Sequence, residues 1–191
     1  MRLILASSSP RRQELLHQSG FEFEVRPARV QEVRRAGEKA EEFARRLARE
    51  KALEVARSAP AGSLVLGADT VVVVNTEILG KPADAEDVLR MLRMLSGVTH
   101  RVVTAVCLVN PPDHVRALSN ETTLVTLRTL EEQEIRAYIS SGEPFDKAGA
   151  YAVQGLASKF VARIEGDYSN VVGLPVRLVK ELLKPLLASD Q

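Results

Sequence analysis

The sequence predicts an α/β domain, on three observations. Strand-like and helix-like segments alternate along the chain, which is the pattern of layered α/β architectures. The 191 residues fit one compact domain, since single domains commonly run to about 100–200 residues. Hydrophobic residues make up 45% and charged residues 27%, which excludes a disordered or fibrous chain and supplies a sizeable core. No internal repeat, low-complexity tract or linker divides the sequence, so residues 1–191 are read as a single domain. Lys and Arg total 26 against 25 Asp and Glu. No global field therefore recruits nucleic acid or an anionic membrane, and any anion site must be local.

The elements follow in order. Leu3 to Ala6 reads as a short buried strand. Ser9 supplies an N-cap, Pro10 suits the first helical position, and Gly20 ends the helix that follows. Phe21 to Arg26 alternates as an edge or half-buried strand, and Glu38 to Ser58 carries Phe43, Leu47, Ala48, Leu53 and Val55 at helical spacing. Leu64 to Val74 is the most strand-like run. It is expected to break at Gly67-Ala68-Asp69-Thr70, because a carboxylate does not enter a buried strand without a task or a partner. Asn75-Thr76-Glu77 predicts a tight turn, and Ala83 to Leu95 a second amphipathic helix with Val88, Leu89, Leu92 and Leu95 on one side. Val102 to Asn110 and Val115 to Arg128 predict two strands joined at Pro111-Pro112-Asp113 as an antiparallel hairpin. Glu131 to Ser141 reads as a helix closed by Gly142. Gly142 to Gly173 is expected to be irregular with short strands such as Phe160 to Glu165, and irregular segments of that length tend to be functional. Pro175 opens a terminal helix ending near Leu187.

Cys107 is the single cysteine, which excludes an internal disulfide or a Cys-rich zinc site. Its apolar neighbours predict a buried structural thiol. The apolar N-terminal run, Met1 to Ala6, is too short for a signal-peptide core. No stretch approaches the roughly 20 apolar residues needed to span a bilayer. A cytoplasmic protein with no membrane partner is expected.

Chemistry concentrates at few places. Ser7-Ser8-Ser9-Pro10-Arg11-Arg12 joins three hydroxyls, two guanidinium groups and a helix start at a strand-to-helix junction. Unpaired helix-start N–H groups attract anions and Arg bonds phosphate bidentately, so this is either a polyphosphate cradle or a capped helix with a solvated basic turn. Asp69 is the candidate catalytic carboxylate: it orients and deprotonates water, holds a metal that does so, or simply caps a turn. Glu32 is either a second oxygen ligand for magnesium or a solvated loop acid. Lys51 and Lys81 are candidates to neutralise a leaving pyrophosphate, although isolated lysines are more often surface residues. His17, His100 and His114 lack metal-ligand spacing. Gly149-Ala150-Tyr151-Ala152-Val153-Gln154-Gly155 either brings an amide to a planar base or forms a surface turn.

Taken together, these segments resemble the Maf family of nucleoside triphosphate pyrophosphatases. The resemblance runs from Ser7-x-Ser9-Pro10-Arg11-Arg12 through Ala48-Arg49-Glu50-Lys51-Ala52, Gly67-Ala68-Asp69-Thr70, Gly80-Lys81-Pro82 and Leu95-Ser96-Gly97-x-Thr99-His100. It continues to Asp146-Lys147-Ala148-Gly149-Ala150-Tyr151 and Gly166-Asp167-Tyr168-x-x-Val171-x-Gly173-Leu174-Pro175. One such segment is weak; seven in order are specific. The resemblance implies an elongated α/β fold with a central mixed, twisted sheet flanked by helices and a cleft between two lobes. It implies that Asp69 is the proton acceptor, that Ser7, Ser9, Arg12, Lys51 and Lys81 line the phosphate side, and that Glu32 and Asp69 are the acidic partners of a divalent metal, magnesium or manganese. A homodimer is implied as well. Arg11, Thr70 and Gln154 resemble the specificity positions of the branch acting on dTTP and UTP, whereas the 7-methyl-GTP branch carries an aromatic, a Gln and a Glu there. After Gln154-Gly155 the chain departs from the family's glycine-richer pattern, reading Leu156-Ala157-Ser158-Lys159.

The expected reaction is hydrolysis of a nucleoside triphosphate to the monophosphate and pyrophosphate. Its rivals are a pyrophosphatase for modified purine nucleotides and a non-enzymatic regulator of division that senses nucleotides. The latter predicts binding without pyrophosphate release.

Overall fold

The structure, a computed structural model, describes residues 2–188. Arg2–Leu5 (β1) leads into Pro10–Gln18 (α1), Phe23–Val25 (β2) and Ala40–Ala56 (α2). Ser63–Val74 (β3) and Glu77–Leu79 (β4) precede Ala85–Leu95 (α3), and two long strands follow, Thr99–Asn110 (β5) and His114–Leu127 (β6). Glu132–Ser140 (α4), Val161–Glu165 (β7), Tyr168–Val172 (α5) and Val176–Ala188 (α6) complete the chain.

The sheet is mixed. Its strand order is β2-β1-β3-β5-β6-β7, with β4 paired to β3 beside this path. β1 lies parallel to β2 and to β3, with Leu5 opposite Val25 and Leu66. β3 and β4 are antiparallel, as are β6 and β7. By internal contacts the chain forms two compact units, one of Met1–Asp69, Thr104–Glu121 and Gly173–Gln191, the other of Thr70–Val103 and Thr122–Val172.

In the first unit α2 explains how β3 is built. The helix buries Phe43, Ala44, Leu47, Ala48, Lys51, Ala52, Val55 and Ala56, a three-and-four spacing that makes one face. Small residues on that face let the backbones approach. At Gly67 a Cβ would lie 2.2 Å from the Ala48 carbonyl oxygen and 2.8 Å from the Ala52 nitrogen. Side chains alternate along a strand. Leu64, Leu66 and Ala68 therefore enter the core with Leu5, Leu16, Leu108, Leu174, Val179 and Leu183, and Gly67 and Asp69 turn toward α2.

This corrects the expected break. β3 runs unbroken through Gly67-Ala68-Asp69-Thr70, and Asp69 is a strand residue, not a loop acid. The physical reason is that glycine yields room for the helix and the carboxylate has a buried partner, which removes the cost that argued for interruption.

The second unit has its own core. Val88, Met91, Leu92 and Leu95 of α3 are buried, as are Ile135 and Tyr138 of α4. The Tyr138 and Phe160 rings meet edge to face at 5.4 Å. β4, which no periodicity marked, folds back through Asn75 and Thr76, with Asn75 in the left-handed region at φ 53°. The stretch expected to be irregular after Gly142 is organised by three 3-10 helices, Glu143–Asp146, Ala148–Ala150 and Gly155–Phe160. Cys107 is buried, and burial pushes its thiol up to about 12, which suits a structural residue.

Candidate active site

Seven of the residues singled out in the sequence lie in the first unit: Ser7, Ser9, Arg11, Arg12, Glu32, Lys51 and Asp69. The helix start comes first. Ser9 caps α1, its hydroxyl accepting the Arg12 backbone N–H at 3.5 Å, and Pro10 occupies the first turn. Ser7, buried at the end of β1, accepts the Ser9 N–H at 3.2 Å and Arg12 Nη1 at 3.3 Å. Arg12 spans further. Its Nη1 donates to the Ala68 carbonyl at 3.0 Å and its Nε to the Gly173 carbonyl at 2.8 Å. The guanidinium is thereby fixed beside the residue that precedes Asp69. Burial pulls its pKa down, opposed by the negative charges of Asp69 and Glu32 and assisted by neighbouring Arg11. A guanidinium keeps its proton regardless.

Asp69 retains only 5% of its accessible surface and Lys51 only 9%. The Lys51 ammonium donates to Asp69 Oδ1 at 2.6 Å and meets Glu32 Oε1 at 2.6 Å. One cation thus joins the two carboxylates named as acidic candidates. Burial raises the Asp69 pKa, and the Lys51 charge, the Lys51 hydrogen bond and the Arg12 charge pull it back. The result is a desolvated carboxylate kept close to cations. Lys51 is not the solvated surface lysine that an isolated reading favours, because α2 carries it to the buried face of β3.

The specificity candidates and the second lysine divide differently. Arg11 is half-buried in the first turn of α1. Thr70, half-buried on β3, Lys81, exposed after β4, and Gln154, exposed before the third 3-10 helix, belong to the second unit. Gly149 links their segments. Its N–H donates to the Gly80 carbonyl at 2.9 Å, next to Lys81. A Cβ there would come 3.0 Å from Val72, two residues beyond Thr70, at a φ of 68° that favours glycine. Gln154 is held on both sides. Upstream, Tyr151 Oη lies 2.6 Å from His100 Nε2, with burial pushing the imidazole down to about 4 and so keeping it neutral. Downstream, Glu143 accepts the Leu156 N–H at 3.0 Å and the Tyr138 hydroxyl at 3.2 Å.

Other residues were given no role in the sequence, although Asp167 and Gly173 stand in the last of the segments that resemble the family. Gly173 contributes only its carbonyl, a group no side-chain pattern announces. Asp167 caps the short α5, accepting the Ser169 N–H at 2.7 Å, and Asn170 Nδ2 bonds the Val102 carbonyl and Thr123 Oγ1 at 3.0 Å each. Those bonds fix the helix from which the chain continues to Gly173. The Gly166-Asp167-Tyr168 segment was the available signal. Among the described residues no three His, Cys, Asp or Glu gather in a metal-binding group. No helix among them is long and apolar enough to cross a membrane.

A capped helix start, a fixed guanidinium and a buried carboxylate bonded to lysine are parts from which phosphoryl chemistry is assembled. Residues 2–186 match the family model described as Maf-like protein. A dTTP/UTP pyrophosphatase of Koribacter versatilis is 52% identical over 184 residues, covering 96% of this chain and 94% of that one. A dTTP/UTP pyrophosphatase of Salmonella typhimurium is 52% identical over 181 residues, covering 95% and 91%. The solved structure of a HAM1 protein from Coxiella burnetii superposes with a TM-score of 0.52 at 15% identity, over 97% of this chain and 99% of that one, a likeness of fold alone. With a family match spanning nearly every residue and relatives at about half identity along almost their whole length, the chain belongs to the Maf family.

Proposed function

We propose that the chain hydrolyses dTTP and UTP to the monophosphate and pyrophosphate. The observation that carries this reading is the buried Asp69, bonded to a lysine that also reaches Glu32, beside an arginine fixed at a helix start. The names of relatives at about half identity support the choice of nucleotide.

In this mechanism water held at Asp69 attacks the α-phosphorus, its proton passes to the carboxylate, and the bond between the α-phosphorus and the bridging oxygen breaks to release pyrophosphate. Desolvation makes Asp69 a better base than an exposed carboxylate, and the Lys51 charge opposes the rise in its pKa. Arg12 and Lys51 offset charge on the outer phosphates, with Ser7 and Ser9 beside Arg12, and the family resemblance gives Lys81 the same role. Arg11, Thr70 and Gln154 select the pyrimidine.

Asp69 and Glu32 would hold magnesium or manganese. Hard cations take one or two carboxylates and complete their shell with phosphate oxygens. Oxygens of these two residues already converge on one cation, the Lys51 ammonium. When bound, such an ion neutralises phosphate charge and polarises the oxygens it touches. A homodimer completes the proposal, on the strength of the family resemblance, with the cytoplasm as the default address.

The test is pyrophosphate release, with and without divalent metal, across dTTP, UTP, CTP, GTP and 7-methyl-GTP. The two pyrimidine triphosphates named should lead, and chelation should abolish turnover. Asp69→Asn should keep the fold and lose a factor of roughly 100 or more, as losses of a general base do. Near-normal turnover in that variant removes Asp69 from the role.

A further inference from the structure

We propose that Arg46 is a positioning residue for Glu32, and through it for the carboxylate pair that Lys51 joins. The inference rests on the role given above to Glu32. That residue poses a geometric problem: it lies between β2 and α2 in a segment, residues 26–39, with neither helix nor strand, and its side chain is 41% exposed. A loop carboxylate serves a cation only if something holds its backbone to within a fraction of an ångström.

Arg46 does so from α2. Its Nη2 donates to the carbonyl of Val33, the residue after Glu32, at 2.9 Å. The same nitrogen donates to Glu38 Oε2 at 2.8 Å and Nε donates to Glu38 Oε1 at 2.7 Å, a two-pronged pairing. Nη1 donates to both oxygens of Glu50 at 3.2 Å. Five bonds match the five N–H donors of a guanidinium. The group also lies over the Phe43 ring, 5.4 Å from its centroid.

The far end of the loop is closed as well. Arg34 Nε and Nη2 donate to the Glu38 carbonyl at 2.9 and 2.6 Å, and the Arg35 N–H donates to Glu38 Oε2 at 3.1 Å. Helix α2 therefore grips the loop at Val33 by Arg46 and at Glu32 by Lys51. This is not a solvated surface pair of little worth. The Arg46 and Glu38 side chains keep only 15% and 10% of their accessible surface. Lysine, a point charge with three donors, cannot reproduce the fork.

The test uses Arg46→Met and Arg46→Lys in the full chain. Metal-dependent release of pyrophosphate from dTTP should reach half-saturation at a metal concentration raised roughly 10- to 100-fold in Arg46→Met, the usual loss when a group supporting a metal ligand is removed. Arg46→Lys should fall between it and the parent. In a Glu32→Gln background, Arg46→Met should add little further loss, because the residue it positions is already gone. Without metal or nucleotide, amide hydrogen exchange across residues 30–38 should speed up in Arg46→Met. Unchanged half-saturation, equal losses in both backgrounds, or unchanged exchange in that segment would each overturn the proposal. If the parent releases no pyrophosphate from dTTP or UTP, the functional reading fails instead, and the exchange measurement still decides whether Arg46 holds the loop. Should Arg46→Met not fold, Arg46→Lys carries the same comparisons.

Discussion

Glu38 illustrates how one side chain's surroundings become a property that can be titrated. Its hydrogen bonds from Arg46 outweigh the cost of burial and hold it down at about 2, against an ordinary value of 4.5. Since the folded value is depressed, the unfolded chain takes up the proton first as acid is added. The contribution is complete above pH 4.5 and is lost as pH falls toward 2. Glu38→Gln should therefore lower the unfolding free energy at pH 6 by roughly 1–2 kcal/mol after discounting for solvent screening, seen as a lower urea midpoint, and leave the midpoint at pH 2 almost unchanged. Equal midpoint shifts at both pH values would disprove this. The sequence made residues of this kind unequally legible. Asp69 stood out because a carboxylate amid apolar residues is conspicuous. Arg46 did not, because helical spacing displays only Phe43 at i−3 and Glu50 at i+4 among its partners. Val33 and Glu38 come within reach only once the loop has folded back.

Among the elements, α2 and β3 stand or fall together at Gly67. Substituting alanine places a methyl group 2.2 Å from a carbonyl oxygen of the helix backbone, which has no rotamer by which to yield. Overpacking of this sort costs about 1–3 kcal/mol, and a backbone clash belongs at the upper end. Gly67→Ala should accordingly lower Tm by roughly 6–12 °C at about 2–4 °C per kcal/mol. It should also depress dTTP hydrolysis, because Lys51 rides on the helix that must shift. A Tm within a degree of the parent would show that the notch has no such role. Among the described residues, periodicity together with capping residues found every α-helix longer than five residues and all but one of the strands, with ends off by a few positions and β3 expected to break. It did not find β4, which is three residues long and relies on pairing with β3. Nor did it resolve the three 3-10 helices, whose geometry comes from tertiary bonds such as that between Gly149 and Gly80.

On the scale of the whole chain, the first unit is closed by its last helix. Val179 and Leu183 of α6 pack with Leu5, Leu16 and Leu64, and the Gly173 carbonyl at the entrance to that helix receives Arg12 from 161 positions away in sequence. Two fully buried aliphatic side chains are worth about 1.5–3 kcal/mol each. That already consumes the lower end of the ~5–15 kcal/mol typical of a folded protein. A chain ending at Pro175 should show no cooperative urea transition, although every acidic and basic residue assigned above remains; a sharp transition would refute the dependence. No local pattern announces such a closure, since strand order and the return of α6 are set by long-range packing. The two acids that share Lys51 are also anchored unequally. Asp69 belongs to a hydrogen-bonded ladder between neighbouring strands, whereas Glu32 travels with a tethered loop. Any movement at this centre therefore falls to the loop, within the limit that the Arg46 tether sets, so one jaw is fixed by the sheet and the other by a single side chain.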